Sequence, residues 1–406
     1  MMVNERFAFS ALLALAAASS SAMAATPAPP QVDKLSIEVN ARVQHDTNVS
    51  GVSIAESKNR LVRPDDTTFT PSVSLSVNLP VSRQTVFFRG YAGYLFHQNN
   101  KSLDSERLTF DGGITSRIGR CNVTADANYQ RGLSRFEDIV LGPTLTNILE
   151  VERLSLDGKC TGSTGIGVNA KISRDWANND QALLRPQDYQ ATAYSTGLTY
   201  AKPRLGALNL FVNHQRTEYI NRVVISGATD GYDLDAFGVS YERNLGARIS
   251  GSVSVGSSKV KSLAPTTPSS PKITFEGLTY SADLNYNPSR RMGANFSFDR
   301  QVQPSQRAGN SFDVTTSYRL SGRYDLGNRF TVNLGAEQRE VESQGLKLFA
   351  SNLTNSRVKT VFGSVAYRQS RRLSLTLDAA LDKRETNDVR FDYDNTRLGL
   401  TAGVRY

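Results

Sequence analysis

Histidine, cysteine and long apolar runs are all scarce in this 406-residue chain, and each scarcity excludes something. His45, His97 and His214 stand far apart, and no Cys, Asp or Glu falls at ligand spacing beside them. A metal site is therefore not expected, and no sequence pattern calls for a cofactor. His214 continues the parity of Leu208, Leu210 and Val212. It thus reads either as an interfacial histidine or as half of a lipid-facing Ser-His pair, a constellation recognised only by geometry. The plainer reading is kept, and no enzymatic activity is expected.

The one long apolar run is Phe7 to Ala18, preceded by Arg6 and followed by the small-x-small triplet Ala22-Met23-Ala24. It is too short to span a bilayer and has the order of a secretory signal, so residues 1–24 are expected to be removed and residues 25–33 to form a periplasmic spacer. No lipobox cysteine follows the apolar run, so a lipoprotein is not expected. The formal charge of +9 comes without a basic run, zinc spacing or an aromatic-basic module. Nucleic acid is therefore not an expected partner.

What the chain has in abundance is alternation. Between Phe312 and Leu326 the residues Val314, Thr316, Tyr318, Leu320, Gly322, Tyr324 and Leu326 alternate with Asp313, Thr315, Ser317, Arg319, Ser321, Arg323 and Asp325. A period of two is a strand. A dry protein core would not accept the second face, whereas a wall with lipid on one side and water on the other requires it. The same pattern recurs from Leu35 to the C-terminus. It vanishes in a mean hydropathy of -0.36, because alternation cancels in an average.

Two kinds of connection alternate between these runs. Short ones combine Gly, Pro or Ser with a basic residue, as in Pro80-Val81-Ser82-Arg83, Gly119-Arg120, Asp157-Gly158-Lys159 and Ser370-Arg371-Arg372. They read as hairpin turns. Longer polar segments, such as Thr47 to Thr67 and Arg135 to Asn147, separate them. The expectation is an all-β chain in which residues 34–406 form a transmembrane antiparallel up-and-down β-barrel. It would have about 18 strands, short periplasmic turns and long extracellular loops, and would sit in the bacterial outer membrane. A repeat near forty residues also suits a β-propeller blade. Two runs of about a dozen residues per repeat, rather than four short ones, favour tilted membrane strands.

This geometry assigns roles. Tyr200, Tyr241, Tyr286, Tyr324, Tyr367 and Tyr406 each close a run just before a short turn or the chain end, as a periplasmic aromatic girdle would. Phe69, Phe96, Phe275, Phe298 and Phe312 are the corresponding outward aromatics near the long loops. Cys121 and Cys160 fall at one rim of neighbouring strands, and an oxidising periplasm predicts a disulfide between them. Arg319, Arg323, Arg329, Arg339, Arg397 and Arg405 cluster among inward-facing positions, with Glu38, Asp325, Glu337, Asp378 and Asp382 among the inward acids. Such a lining serves either as a stripe for an anionic solute or as ion pairs knitting the wall. The third long loop, residues 136–148, is apolar for an exposed segment and carries Glu137 and Asp138. It reads either as a constriction inside the barrel, as in porins whose third loop folds inward, or as a cap over the rim.

Two resemblances add to this. The final strand ends on an aromatic residue, Tyr406, and so resembles the closing strand of outer-membrane barrels, which the barrel assembly machinery reads; Thr401 stands where that signal usually has glycine. The stretch Arg60 to Gln98, with Arg63-Pro64-Asp65-Asp66, Thr70-Pro71, Leu79-Pro80-x-x-Arg83 and Tyr94-Leu95-Phe96-His97, resembles the β-barrel porins found with exopolysaccharide synthesis loci. That resemblance implies passage of a polysaccharide across the outer membrane, with periplasmic export components as partners. The alternatives are a diffusion porin for small solutes and a structural or surface-binding barrel.

Overall fold

The computed structural model describes residues 35–134, 147–223, 229–246, 248–263, 274–307, 310–344 and 353–406. Glu137 and Asp138, the expected constriction loop, lie outside the described residues. Eighteen strands follow one another: β1 Leu35–Asp46, β2 Asp66–Val81, β3 Gln84–His97, β4 Ser105–Ile118, β5 Cys121–Leu133 and β6 Ile148–Thr161. Next come β7 Ile166–Asn179, β8 Tyr189–Lys202, β9 Gly206–Val223, β10 Thr229–Leu245, β11 Ile249–Ser262 and β12 Thr274–Ser289. The last six are β13 Met292–Pro304, β14 Phe312–Leu326, β15 Phe330–Gln344, β16 Asn355–Arg368, β17 Leu373–Thr386 and β18 Tyr393–Arg405.

Each strand pairs antiparallel with its sequence neighbours, and β1 pairs with β18 from Glu38↔Arg405 to Asp46↔Arg397. The sheet therefore closes without a free edge, so the ladder satisfies its own backbone groups, as a hydrocarbon environment demands. Alternation decides which face meets what. Leu198, Leu334 and Leu377 are 60%, 63% and 59% exposed on the outer surface, and they stand in a contiguous apolar band too large for a protein in water. Each such side chain that leaves water for lipid stabilises the inserted state by about 1.5–3 kcal/mol.

At the short-turn end Gly119, Gly246 and Gly327 take φ near +60°, a conformation that costs glycine least. One turn differs from expectation. Asp157, Gly158 and Lys159 do not turn; β6 continues through them to Thr161, and the reversal lies at Gly162–Gly165, where Gly162 N–H donates to the Ile166 carbonyl at 2.7 Å. An Asp-Gly-Lys triplet has turn composition, but in a wall with a wet interior its Asp and Lys are ordinary inward residues.

At the other end two segments fold over the barrel. Between β1 and β2 a short helix, α1 (Ile54–Asn59), is capped by the Ser53 hydroxyl, which accepts from Glu56 N–H at 3.2 Å. Val52 beside it packs with Leu353 and Phe391 from the β15–β16 and β17–β18 connections. Asp66, in the Arg63-Pro64-Asp65-Asp66 stretch, is buried; its carboxylate accepts from the backbone of Asn99 and Asn100, both at 2.9 Å. Asn100 in turn bonds Arg63 through both its amide oxygen and its amide nitrogen. That motif ties the first two long connections together.

The second segment is the β13–β14 hairpin. β12 pairs with β13 only from Ser289↔Met292 up to Tyr280↔Arg300, while β13 and β14 stay paired to Pro304↔Phe312. Beyond Arg300 β13 parts from β12, while β14 stays paired with β15 up to Phe312↔Gln344, so the wall opens there and the hairpin end turns inward. Val302, Phe312 and Val314, whose parity is outward lower down, pack there on Tyr232, Leu234 and Val260, with Phe275 against the cluster. Those partners sit on the inner faces of β10, β11 and β12, so the hairpin end lies inside the barrel. Phe275 and Phe312 are thus not part of an outward aromatic ring; Phe312 is 1% exposed. Phe69 and Phe96 do face out.

Candidate functional site

The candidate site is the lumen, and its wall is built from the polar half of every strand. Arg42 (β1) donates to both carboxylate oxygens of Asp378 (β17) at 2.9 and 2.7 Å, and to Thr401 at 3.3 Å. Arg397 reaches Asp382 at 3.0 Å, Arg405 reaches Glu38 at 3.2 Å, Arg319 reaches Glu337 at 3.3 Å and Arg323 reaches Asp325 at 3.0 Å. Arg319 also lies over the Phe362 ring, 5.0 Å from its centroid. Arg339 interacts with Asp299, and Arg329 sits in the β14–β15 turn, below the wall. Of the two readings of the arginine cluster, this arrangement favours the ion-pair wall. A guanidinium that shares a fork with a carboxylate presents little net charge to a passing solute.

One inward pair is different. Arg89 (β3) and Asp111 (β4) are 3.5 Å apart, with 71% and 36% of their side chains exposed. Their positions are directly opposed, and they alternate with the outward Phe88, Phe110 and Ile114. An inward side chain that exposed has room for water in front of it, left uncovered by the described residues. Eighteen strands give a circumference that side chains alone do not fill.

Toward the long loops the lumen narrows on the β8–β14 side. The connection between β13 and β14 would ordinarily lie on the surface, yet Ser305 and Arg307 are 0% and 3% exposed. Tyr219, on the inner face of β9, holds it: its hydroxyl accepts from Ser305 N–H at 3.1 Å and donates to the Ser311 carbonyl. Arg222 donates to the Asn310 carbonyl and to Asp230, both at 2.9 Å, and to Gln187 at 2.6 Å. Its guanidinium lies 3.8 Å from the Tyr219 ring centroid, close enough for cation–π attraction. Arg307 donates to Ser343 of β15 at 3.0 Å. The Arg222–Asp230 pair is buried on both sides. Such a pair contributes little net stability while intact, but losing one partner costs about 3–5 kcal/mol.

The other expected residues fall as follows. Tyr200, Tyr241, Tyr286, Tyr324 and Tyr406 are exposed on the outer face at the short-turn ends of their strands, and Tyr367 packs against Phe330 with the rings tilted and their centroids 4.9 Å apart. Cys121 and Cys160 are directly opposed on β5 and β6 and joined in a disulfide. His214 bonds Asp235 at 2.8 Å on the outer face, and its cross-strand neighbours are Tyr194 and Asp235 rather than a serine. Among the described residues no group of three or more His, Cys, Asp or Glu could hold a metal ion. Sequence reasoning missed the Tyr219–Arg222 anchor. A signal was present: apolar alternation in β14 runs on past the outward Tyr318 to Val314 and Phe312, and apolar residues beyond an aromatic girdle need cover.

Residues 228–406 match the family described as "Putative beta-barrel porin 2". No curated protein matches the chain. Among solved structures, OccK2 (OpdF) of Pseudomonas aeruginosa in complex with glucuronate is 11% identical, with 92% of this chain and 98% of that chain covered and a TM-score of 0.47. The BenF-like porin from Pseudomonas fluorescens Pf-5 is likewise 11% identical, covering 92% and 100%, at 0.47. OccAB3 of Acinetobacter baumannii is 9% identical, covering 92% and 100%, at 0.45. Likeness of this degree carries no functional weight. The closed eighteen-strand barrel, its apolar outer band and the porin-family match place the chain in the outer membrane.

Proposed function

We propose that this outer-membrane barrel is a passive pore for small hydrophilic solutes, with its narrowest passage beside the Tyr219-anchored hairpin. The observation that carries the reading is Arg89, an inward residue of the wall whose side chain stays 71% exposed. Water reaches it, and a solute of similar polarity can follow. The ion-paired lining supports weak discrimination by charge, since Arg319, Arg397 and Arg405 are each matched by a carboxylate on the next strand and Arg42 by one two strands away. The exopolysaccharide that the resemblance implies gains no support from the wall. A hairpin folded into one side of the mouth and α1 packed over another favour the smaller solute class. A purely structural barrel is the competing reading.

The test is planar-bilayer recording together with liposome swelling in sugars of graded size. The expected result is stepwise ohmic conductance with near-equal cation and anion permeability, and swelling rates that fall from monosaccharide to larger oligosaccharide. Folded protein that inserts and carries no current would favour the structural barrel.

A further inference from the structure

The outer wall carries a feature that the pore does not use. A groove of about 380 Å³ opens across β16, β17 and β18, lined by Val361, Leu381, Lys359, Lys383, Asp394 and Thr396. Val361 and Leu381 are directly opposed, 58% and 57% exposed, and belong to the apolar band. One outward pair nearer the long loops, Lys359 and Lys383 are directly opposed in their turn. The groove therefore straddles the level at which hydrocarbon gives way to headgroups, with an apolar floor and two ammonium groups above it.

Like charges directly opposite on neighbouring strands are destabilising, and this pair has limited compensation. Glu385 serves both lysines, at 3.6 Å from Lys359 and 3.3 Å from Lys383. Arg357 next to them is engaged by Glu340 at 2.6 Å. Asp394 stands across from Lys383 on β18 and lines the far side of the groove. An oxyanion between the two lysines would relieve their repulsion through charge-assisted hydrogen bonds, and an attached acyl chain would cover Val361 and Leu381.

The geometry points to a binding site for a phosphate-bearing lipid of the outer leaflet, with the headgroup phosphate between Lys359 and Lys383 and its acyl chains along Val361 and Leu381. The site is independent of which solute the pore passes. Its charged half recognises the phosphate and its apolar half requires that the phosphate belong to a lipid.

The experiment is native mass spectrometry of the full-length folded barrel in detergent, titrated with a diphosphorylated glycolipid of the lipid A type, its dephosphorylated form, or inorganic phosphate. Lys359→Gln with Lys383→Gln is expected to weaken the diphosphorylated lipid about tenfold or more. Lys101→Gln, which removes a charge from the β3–β4 connection, should leave it unchanged. The dephosphorylated lipid should bind the wild type and the double variant equally weakly. Glu385→Gln, which keeps both lysines and removes their shared carboxylate, should bind the phosphorylated lipid more tightly, and it decides the matter should the double variant not fold. Unchanged affinity in the double variant, or unchanged or weaker affinity in Glu385→Gln, overturns the site. Inorganic phosphate binding as tightly as the lipid would show an anion site only and overturn the lipid assignment.

Discussion

The lower lumen and the mouth beside the β13–β14 hairpin are made of the same strands, yet they solve opposite problems. In the lower lumen inward residues are polar, paired across strands and wet, as with Arg42–Asp378 and Arg89–Asp111. At the mouth the inner face turns aromatic and dry: Tyr189, Tyr219 and Tyr232 are 0%, 1% and 0% exposed. The difference is that a second layer of protein, the hairpin, has replaced water there. Inward parity thus fixes only where a side chain points; whether it meets water or protein depends on what else enters the barrel.

The largest effect is expected from Arg222→Ala. It leaves Asp230 buried without its partner and releases Asn310 and Gln187, so thermal stability should fall by about 3–5 kcal/mol and single-channel conductance should rise as the hairpin loosens. Unchanged conductance in a folded variant would mean that the hairpin does not narrow the path. Tyr219→Phe removes only the hydroxyl, leaving Ser305 N–H with just its longer bond, 3.4 Å, to the Ser311 carbonyl, at about 1 kcal/mol. Open-channel noise should increase while the mean current changes less than in Arg222→Ala.

In the lower lumen the same kind of change should barely touch stability. Arg89→Ala breaks a solvated pair worth about 0.2–1 kcal/mol. Reversal potentials should nonetheless shift toward cations, because Asp111 is left alone, and Asp111→Asn should shift them the other way. If Arg89→Ala destabilised the barrel as much as Arg222→Ala, the contrast between wet wall and dry mouth would not hold. The smallest effect concerns pH at the β17–β18 connection, where the Arg390 guanidinium beside Asp388 holds its carboxyl below the usual carboxylate range. A carboxyl whose pKa is depressed by folding contributes stability above its unfolded value, near 3.9, and loses it only as pH falls through the lower folded value. The protection factors of residues 387–392, that is, exchange rates corrected for the intrinsic pH dependence of amide exchange, should therefore stay flat between about pH 5 and 8, and a change there would assign this connection a titrating partner.

Much of the barrel could be read in advance because a wall between lipid and water imposes a strict period of two. Leu320 between Arg319 and Ser321 is one instance of a period repeated along the whole of β14. Turn composition was less reliable, as Asp157-Gly158-Lys159 shows, since the residues that favour a turn also suit a wet interior. The site was harder still. The arginine cluster was visible as a set, but its pairing depends on which strands become neighbours, and Arg42–Asp378 joins residues that meet only when the first and last parts of the sheet close. The Tyr219 anchor depends on β13 parting from β12 at Arg300, a tertiary event with only a faint trace in the run from Tyr318 back to Phe312.

The claim on which the rest depends is that water fills the barrel at the height of Arg89. In the reconstituted full-length protein, Arg89→Cys should react rapidly with a charged, membrane-impermeant thiosulfonate, while Leu377→Cys on the outer face should stay protected by lipid. Protection at position 89 with rapid reaction at position 377 would contradict the account.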